Sequence, residues 1–206
     1  FTITGATGCR DIAWDGTYFY GGAASTTVFQ MDFDAASMVS TFTAPTEVRA
    51  IAYNEDDGAF YANNWGTDIV KFDMTGANLG SFACGPIGDS YYGFAYDNYS
   101  MPGTPYLWGY AQVGTTLNEL IQMDLTTGAE TGLSFDVGSV AAVGTGIAGG
   151  LAIDNMIVPG LWVFLGTSQN VDLWALELTE AQSWISMAPT SGTLTPGGTE
   201  TLVVTL

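Results

Sequence analysis

The chain has 206 residues, 47% hydrophobic and 13% aromatic, and it carries three lysines and arginines against 21 aspartates and glutamates, a formal net charge of −18. That apolar content excludes an intrinsically disordered chain, and the scarcity of cations excludes a nucleic-acid-binding protein, because such proteins hold phosphates with Lys and Arg. An anionic membrane surface would repel the chain, and no run of 18 apolar residues predicts a membrane span, so we expect no membrane insertion.

Four segments with a shared pattern follow one another along the chain. Each opens with an apolar residue, an alanine, an aromatic residue or isoleucine, and then an aspartate or asparagine. A turn follows, then an aromatic strand that ends in small residues, then a strand that ends in an acid. The spacing of the opening alanines is close to the roughly 40 to 50 residues of a four-stranded propeller blade, with longer loops in the later segments. The opening tetrads are residues 12–15, 51–54, 94–97 and 151–154.

The strands that this pattern predicts are rich in β-branched and aromatic residues and are separated by Asp-Gly, Thr-Gly and Gly-Gly turns. The small alanine suits an innermost strand, where blades crowd around an axis, and the Asp or Asn suits a turn whose backbone amides it caps. Aromatic residues would fill the layers between blades. The predicted strands lie at 12–15, 18–21, 28–33 and 38–42; 51–54, 60–63, 69–74 and 79–82; 94–97, 106–109, 120–125 and 133–137; and 151–154, 161–164 and 172–178. Acids that recur at the end of the third strand are Asp32, Asp73, Asp124 and Glu177.

We therefore predict an all-β fold, a β-propeller of four-stranded antiparallel blades within residues 1–182. The predicted blades lie near 8–44, 45–86, 87–140 and 141–180. Two closures of the ring remain open: residues 1–4 supply the outer strand of the last of four blades, or they belong to a blade whose inner strands precede them. We favour the second, a ring of five or more blades in a longer precursor, because four blades are the lower limit of the architecture.

The pattern changes at the C-terminal end of the chain. Residues 183–206 predict two strands around a Pro-Gly-Gly turn, similar to the opening of an immunoglobulin-like sandwich. Two strands cannot form a sandwich by themselves. We expect either that the chain continues or that the hairpin completes its sheet on a neighbouring molecule.

Three stretches carry a resemblance to a known group of proteins: residues 7–22, the Asn63-Asn64-Trp65 run, and the Ser191-Gly192-Thr193-Leu194 tail. They resemble large extracellular proteins of Bacteroidota-type bacteria, in which propellers are followed by immunoglobulin-like modules and a sorting signal for type IX secretion. The resemblance implies a cell-surface or released location. It brings no assigned active site with it.

Candidate catalytic groups are few, because the chain contains no histidine. A Ser-His-Asp triad, a Cys-His dyad and every His-ligated metal site are thereby excluded, and we expect no enzyme. A glycosidase is the remote alternative, with Asp11, Asp15, Asp97 and Asp154 as candidate carboxylates. Three of these four occupy the repeated turn position, which favours a structural role.

The only cofactor that the sequence suggests is calcium. Asn54, Glu55, Asp56 and Asp57 place several hard oxygen ligands in one turn, although without the alternating spacing of an EF-hand loop. The alternative is an acidic hairpin tip that simply faces solvent.

Two arginines define a second candidate ligand site. Arg10 and Arg49 each precede the opening alanine by three residues, so both should lie at one mouth of the central channel. There they could bind a carboxylate, a sulfate or an acidic sugar, or they could neutralise neighbouring acids such as Asp11 and Glu47. Trp65 and Tyr99 are predicted to lie in loops as further ligand contacts.

Cys9 and Cys84 are the only cysteines, so the chain can form at most one disulfide. A bridge would agree with secretion, but sequence alone does not bring the two sulfurs within bonding distance. Both a disulfide and two separate thiols remain open.

Two classes of function follow from these features. The first is a non-enzymatic structural or adhesive module of a larger extracellular surface protein or filament, whose partners are other copies or neighbouring modules. The second is a propeller that binds glycans or calcium. The repeats and the hairpin favour the first, and the loop aromatics favour the second.

Overall fold

The computed structural model describes residues 2–84, 90–101, 103–140, 143, 146–169 and 172–178, together with 186–188, 199, 201 and 203–205. Its described part is all-β, apart from one 3-10 turn at Val137–Ser139. Within these residues no helix is long and apolar enough to cross a membrane.

Three four-stranded antiparallel sheets and one three-stranded sheet make up the ring, each ordered as a simple meander from inside to outside. The first contains β1 (Ile12–Trp14), β2 (Phe19–Gly22), β3 (Ser25–Asp32) and β4 (Ser37–Val48); the second contains β5 (Ala50–Asn54), β6 (Ala59–Asn63), β7 (Ile69–Asp73) and β8 (Asn78–Phe82). The third contains β9 (Ser90–Asp97), β10 (Tyr106–Val113), β11 (Thr116–Asp124) and β12 (Glu130–Asp136); the fourth contains β13 (Ala148–Asp154), β14 (Val163–Ser168) and β15 (Asp172–Glu177). The predicted all-β propeller of antiparallel blades is confirmed, although β4 runs four residues past the predicted end of the first blade.

The four innermost strands β1, β5, β9 and β13 lie side by side around one axis, and β13 contacts β1 directly. The ring is therefore closed by four blades, and the expectation of five or more blades is wrong. Small residues let the inner strands approach closely enough. At Gly93, an added Cβ would lie 2.4 Å from the backbone nitrogen of Leu151 in the next blade.

The N-terminal residues also pair differently from either prediction. Thr4 forms a parallel bridge with Ser37, the first residue of β4, through the bonds Thr4 N to Ala36 O and Met38 N to Thr4 O, each 2.9 Å. Thr4 therefore extends the outer edge of the first blade. It supplies no strand to the last blade.

Aromatic residues fill three of the four layers between adjacent blades, as the sequence predicts. Tyr20, Phe60 and Phe72 are buried between the first and second blades. Tyr91 and Phe94 belong to the layer between the second and third blades, and Tyr110 and Trp174 to the layer between the third and fourth. These contacts are tilted or edge-to-face, such as the T-shaped pair of Tyr110 and Trp174 with centroids 5.2 Å apart.

Beyond the ring, β16 (Ser186–Ala188) pairs in antiparallel fashion with β17 (Val203–Thr205). The Pro-Gly-Gly turn between them lies outside the described residues. The likeness of this hairpin to an immunoglobulin-like module stays a prediction.

Candidate functional site at the propeller axis

The two ends of the axis differ in chemistry because all four inner strands run in the same direction. Arg10 and Arg49, which precede β1 and β5, and Tyr92, in the first half of β9, lie at the end that we name the arginine face. The turns after these strands, residues 15–18, 55–58, 98–101 with 103–105, and 155–162, lie at the opposite end, which we name the acidic face.

At the arginine end of the axis, one carboxyl group joins all four blades. Asp11 Oδ2 accepts hydrogen bonds from the backbone nitrogens of Ile51 and Phe94, each at 2.9 Å, and Oδ1 accepts one from Leu151 at 3.1 Å. These donors hold equivalent positions of the repeat in β5, β9 and β13. The backbone nitrogen of Ile12 in β1 contributes as well. The side chain thus satisfies inner-edge amides that would otherwise be unpaired inside the ring.

Asp11 replaces a small residue of the repeat. The equivalent positions hold Ala50, Gly93 and Gly150, so the axis has room for one carboxyl group. The missing side chain of Gly150 leaves part of this space, because an added Cβ there would lie 2.9 Å from Asp11 Oδ1.

The environment of Asp11 also sets its protonation. Burial raises the pKa of Asp11 to about 8, whereas the bonds from Ile51, Phe94, Leu151 and Ile12 act in the opposite direction. With 4% exposure and both oxygens bound to backbone amides, Asp11 is placed to hold the ring together, and neither the glycosidase role nor the neutralisation of Arg10 considered from sequence fits it.

Both predicted arginines lie on the arginine face and interact with each other. The guanidinium carbon of Arg49 lies 4.1 Å from the centroid of the Trp65 ring and 5.8 Å from that of Tyr92. Burial, followed by the positive charge of Arg10, lowers the pKa of Arg49. Arg10 itself is exposed. The shared mouth predicted for the two arginines is thus observed.

The arginine face keeps its positive charge available. Arg49 Nε donates to Asn64 Oδ1 at 2.9 Å, and Asn64 Nδ2 donates to Glu47 Oε2 at 2.6 Å, so an amide separates Arg49 from the acid that was expected to neutralise it. Among the described residues, neither Arg10 nor Arg49 has a carboxylate within ion-pair distance.

Trp65 is held on this face by unusual backbone geometry. Its φ of 56° lies in the left-handed region, which is unfavourable for a bulky residue. The fully buried Asn63 donates from Nδ2 to the carbonyl of Trp65 at 2.6 Å and to that of Thr67 at 3.2 Å. The indole is 45% exposed, so the strained turn presents an aromatic ring beside Arg49.

Tyr99 lies on the acidic face, so the structure does not bring it together with Trp65. Its ring stacks on Trp162 with centroids 3.5 Å apart, and its hydroxyl donates to Glu55 Oε1 at 2.7 Å. Burial and the hydrogen bond to Glu55 raise its pKa. Tyr99 therefore joins the turns of three blades, and its role as a ligand contact stays a prediction.

The carboxylates that end the inner strands cap turns, as predicted. Asp15 Oδ1 accepts from the backbone nitrogens of Thr17 and Tyr18, each at 2.7 Å. Asp154 Oδ1 accepts from two turn amides in the same way. Asp97, which is fully buried, also accepts a hydrogen bond at Oδ2 from Nε1 of the Trp108 indole, at 3.0 Å. These bonds leave the candidate glycosidase carboxylates in structural roles.

The turn proposed for calcium uses its oxygens within the protein. Asn54 Oδ1 accepts from the backbone nitrogen of Asp56 at 3.0 Å, Asp56 accepts from Tyr96 and Asn98, and Asp57 pairs with Lys71. The described residues contain no group of three or more His, Cys, Asp or Glu that could hold a metal ion. This geometry offers no open ligand set, and calcium binding stays a prediction without support here.

A cavity of about 210 Å³ occupies the axis on the acidic side. All four inner strands line it, and Glu55 and Tyr99 lie at its rim. A second open groove, about 340 Å³, separates the fourth blade from the first and is lined by Arg10, Asp11 and Leu173, among others.

The two cysteines are thiols, with no disulfide between them. Cys84 Sγ lies 3.9 Å from the carbonyl oxygen of Trp65, whereas Cys9 lines the groove between the fourth and first blades. Burial raises the pKa of Cys9. The disulfide that sequence left open is absent from the structure.

The fold and its two faces define a four-bladed β-propeller with an arginine-bearing end and an acidic end. No protein-family model and no curated protein sequence matches the chain. Among solved structures it is similar to a glutaminyl cyclase from Myxococcus xanthus, with 15% identity and a TM-score of 0.52 over 82% of this chain and 72% of that one. It also matches a chain of a mitotic checkpoint complex, with 14% identity and a TM-score of 0.45 over 81% of this chain and 48% of that one. At such identities the first likeness shows the fold alone, and the second supports no further argument.

Sequence reasoning missed the role of Asp11 and the stacking of Tyr99. A signal for Asp11 was present, because it is the one acid at a repeat position that otherwise holds Ala or Gly. No comparable signal existed for Tyr99. Its partner Trp162 lies in a different blade.

Proposed function

We propose that the chain is a non-enzymatic structural or adhesive module of an extracellular surface protein or filament, and that its arginine face binds partners that carry carboxylates. The observation that carries this proposal is the pairing of Arg10 and Arg49, with no ion-pair partner among the described residues, at one end of an otherwise acidic molecule.

The chemistry of this face suits an acidic glycan or an acidic protein surface. An exposed guanidinium at Arg10 offers bidentate hydrogen bonds to a carboxylate. Trp65 and Tyr92 hold the guanidinium of Arg49 by cation–π contact, which reduces the freedom that it loses on binding. The exposed indole of Trp65 adds an apolar platform of the kind that sugar rings stack against.

A non-enzymatic role is supported by how the carboxylates are used. Asp11, Asp15, Asp97 and Asp154 all accept hydrogen bonds from backbone amides of the ring or its turns. A structural neighbour is a glutaminyl cyclase, but its likeness to this chain extends to the fold only. Catalysis of that kind therefore has no residue-level support in this chain.

The test is calorimetric titration with a galacturonic acid oligomer, with its methyl-esterified form as the neutral control. We expect binding of the acidic oligomer only. Arg10→Gln and Arg49→Gln should each weaken it about 10- to 100-fold, because each removes a charge-assisted hydrogen bond of ~1.5–3 kcal/mol. Lys71→Gln is the matched control, since it removes the remaining cation away from this face and should leave affinity unchanged. Equal affinity for both oligomers, or unaltered binding by both arginine variants, would refute the proposal.

A further inference from the structure

The acidic face combines negative charge with exposed apolar side chains. Glu55 and Asp56 lie in a turn on this face, and Asp154 ends β13 there. The side chains of Met156 and Ile157, in the turn after Asp154, are 82% and 59% exposed. Trp14, at the end of β1, is 49% exposed on the same face. Clusters of exposed apolar residues among polar ones are typical of interaction surfaces.

The arginine face has the complementary chemistry. It presents Arg10 and Arg49 with no carboxylate at ion-pair distance in the described part of the chain, together with the exposed indole of Trp65. Arginine and tryptophan are enriched in the energetically dominant part of protein interfaces. The two faces lie at opposite ends of one axis, so they cannot meet within a single molecule.

We propose that copies of this chain bind head to tail, with the arginine face of one copy against the acidic face of the next. This inference rests on the proposed function, because it names the carboxylate-bearing partner of the arginine face. Contact between two different faces is heterologous, and it produces a linear stack when the rotation between copies does not close a ring. The next copy supplies both the carboxylates for Arg10 and the apolar residues for Trp65.

Net charge does not prevent such stacking at physiological salt. Each copy carries a formal charge of −18, but charges separated by more than about 8 Å are largely screened at 0.15 M ionic strength. Pairs in direct contact at the interface are screened much less. Opposite charge at the contact therefore decides whether two copies associate, whereas the summed repulsion of distant acids is weak.

The test uses two variants, each with one blocked face. Arg10→Glu combined with Arg49→Glu blocks the arginine face, and Met156→Arg combined with Ile157→Arg places positive charge on the acidic face. Sedimentation velocity at 0.15 M salt should show concentration-dependent oligomers for the unmodified chain. Each blocked variant alone should be monomeric, and an equimolar mixture should form dimers and nothing larger, because one intact contact remains between the two variants.

Thr41→Glu, which adds negative charge at an exposed position of the outer strand β4, away from both faces, should form oligomers like the unmodified chain. If the double arginine variant fails to fold, Arg10→Glu alone, at an exposed position, should weaken the contact at least tenfold. A monomeric unmodified chain, a mixture that stays monomeric, or blocked variants that still form oligomers would each overturn head-to-tail binding.

Failure of the stack is distinguishable from failure of the proposed function. The variant with Met156→Arg and Ile157→Arg keeps its arginine face, so its titration with the galacturonic acid oligomer tests that face alone. Binding of the oligomer without stacking retains the proposed function and rejects the second copy as partner. Stacking without oligomer binding rejects glycans and keeps the protein partner.

Discussion

Replacement of Asp11 with alanine should destabilise the ring far more than loss of any carboxylate in a surface turn. Asp11→Ala leaves the backbone nitrogens of Ile51, Phe94 and Leu151 without their acceptor in a buried site. Each unsatisfied buried donor costs about 1–3 kcal/mol. Partial entry of water would offset some of this, so we expect a loss of roughly 3 to 6 kcal/mol in the free energy of unfolding.

Thermal melting by circular dichroism measures this effect. For a chain of this size 1 kcal/mol corresponds to roughly 2–4 °C, so the midpoint should fall by roughly 6–24 °C. Asp154→Ala is the matched control, because it deletes the same side chain from a turn where two amides can bond to water instead. We expect that control to lose about 1 kcal/mol. If both variants melt within 2 or 3 °C of each other, roughly one kcal/mol, the axial carboxyl does not hold the blades together.

Three further outcomes follow from the same contacts. Burial raises the pKa of Asp11 from 3.8 to about 8, so its contribution to stability is complete below pH 4 and is lost as the pH rises through 8. In melts across this range, the free energy of unfolding should fall by up to about 1.4 kcal/mol per pH unit. Asp11→Asn should abolish this pH dependence. Gly150→Ala should lower the melting temperature, because the added Cβ would lie 2.9 Å from Asp11 Oδ1. Gly160→Ala is the comparison: this exposed turn glycine has open space around it but a φ of 86°, so its variant measures the cost of backbone strain alone. Asp97→Ala, which removes buried bonds from the Trp108 indole and two turn amides, should destabilise by a few kcal/mol in denaturant titration, more than Asp154→Ala.

The pH dependence of stability between pH 5 and 8 can be assigned to Asp11 more directly in this chain because it contains no histidine, the residue that ordinarily titrates in that range. Asp73 and Asp124 act in the opposite sense. Hydrogen bonds to their carboxylates lower their pKa values, so their stabilisation is present above the ordinary pKa of an aspartate and is lost as pH falls below it. Stability should therefore be greatest near pH 4.

The blade repeat was readable from sequence because it depends on local chemistry. Alternating apolar residues, turn glycines and the capping acids at Asp15, Asp97 and Asp154 act within a few residues of one another, so each segment specifies its own meander. The common mouth of Arg10 and Arg49 was readable for the same reason. Equivalent positions in a repeat must lie at the same end of the axis once the blades form a ring.

Only the tertiary structure decided the number of blades and the work of the side chains that cross between them. Closure by four depends on how closely the backbones at Gly93 and Gly150 approach their neighbours, a distance that no local pattern encodes. Asp11 reaches amides up to 140 residues away, and Tyr99 stacks on Trp162 of another blade. The sequence determined each blade and the end of the axis at which its residues lie. The geometry of the closed ring decided that the buried Asp11 links the four blades, because the inner-strand amides converge on its carboxyl group.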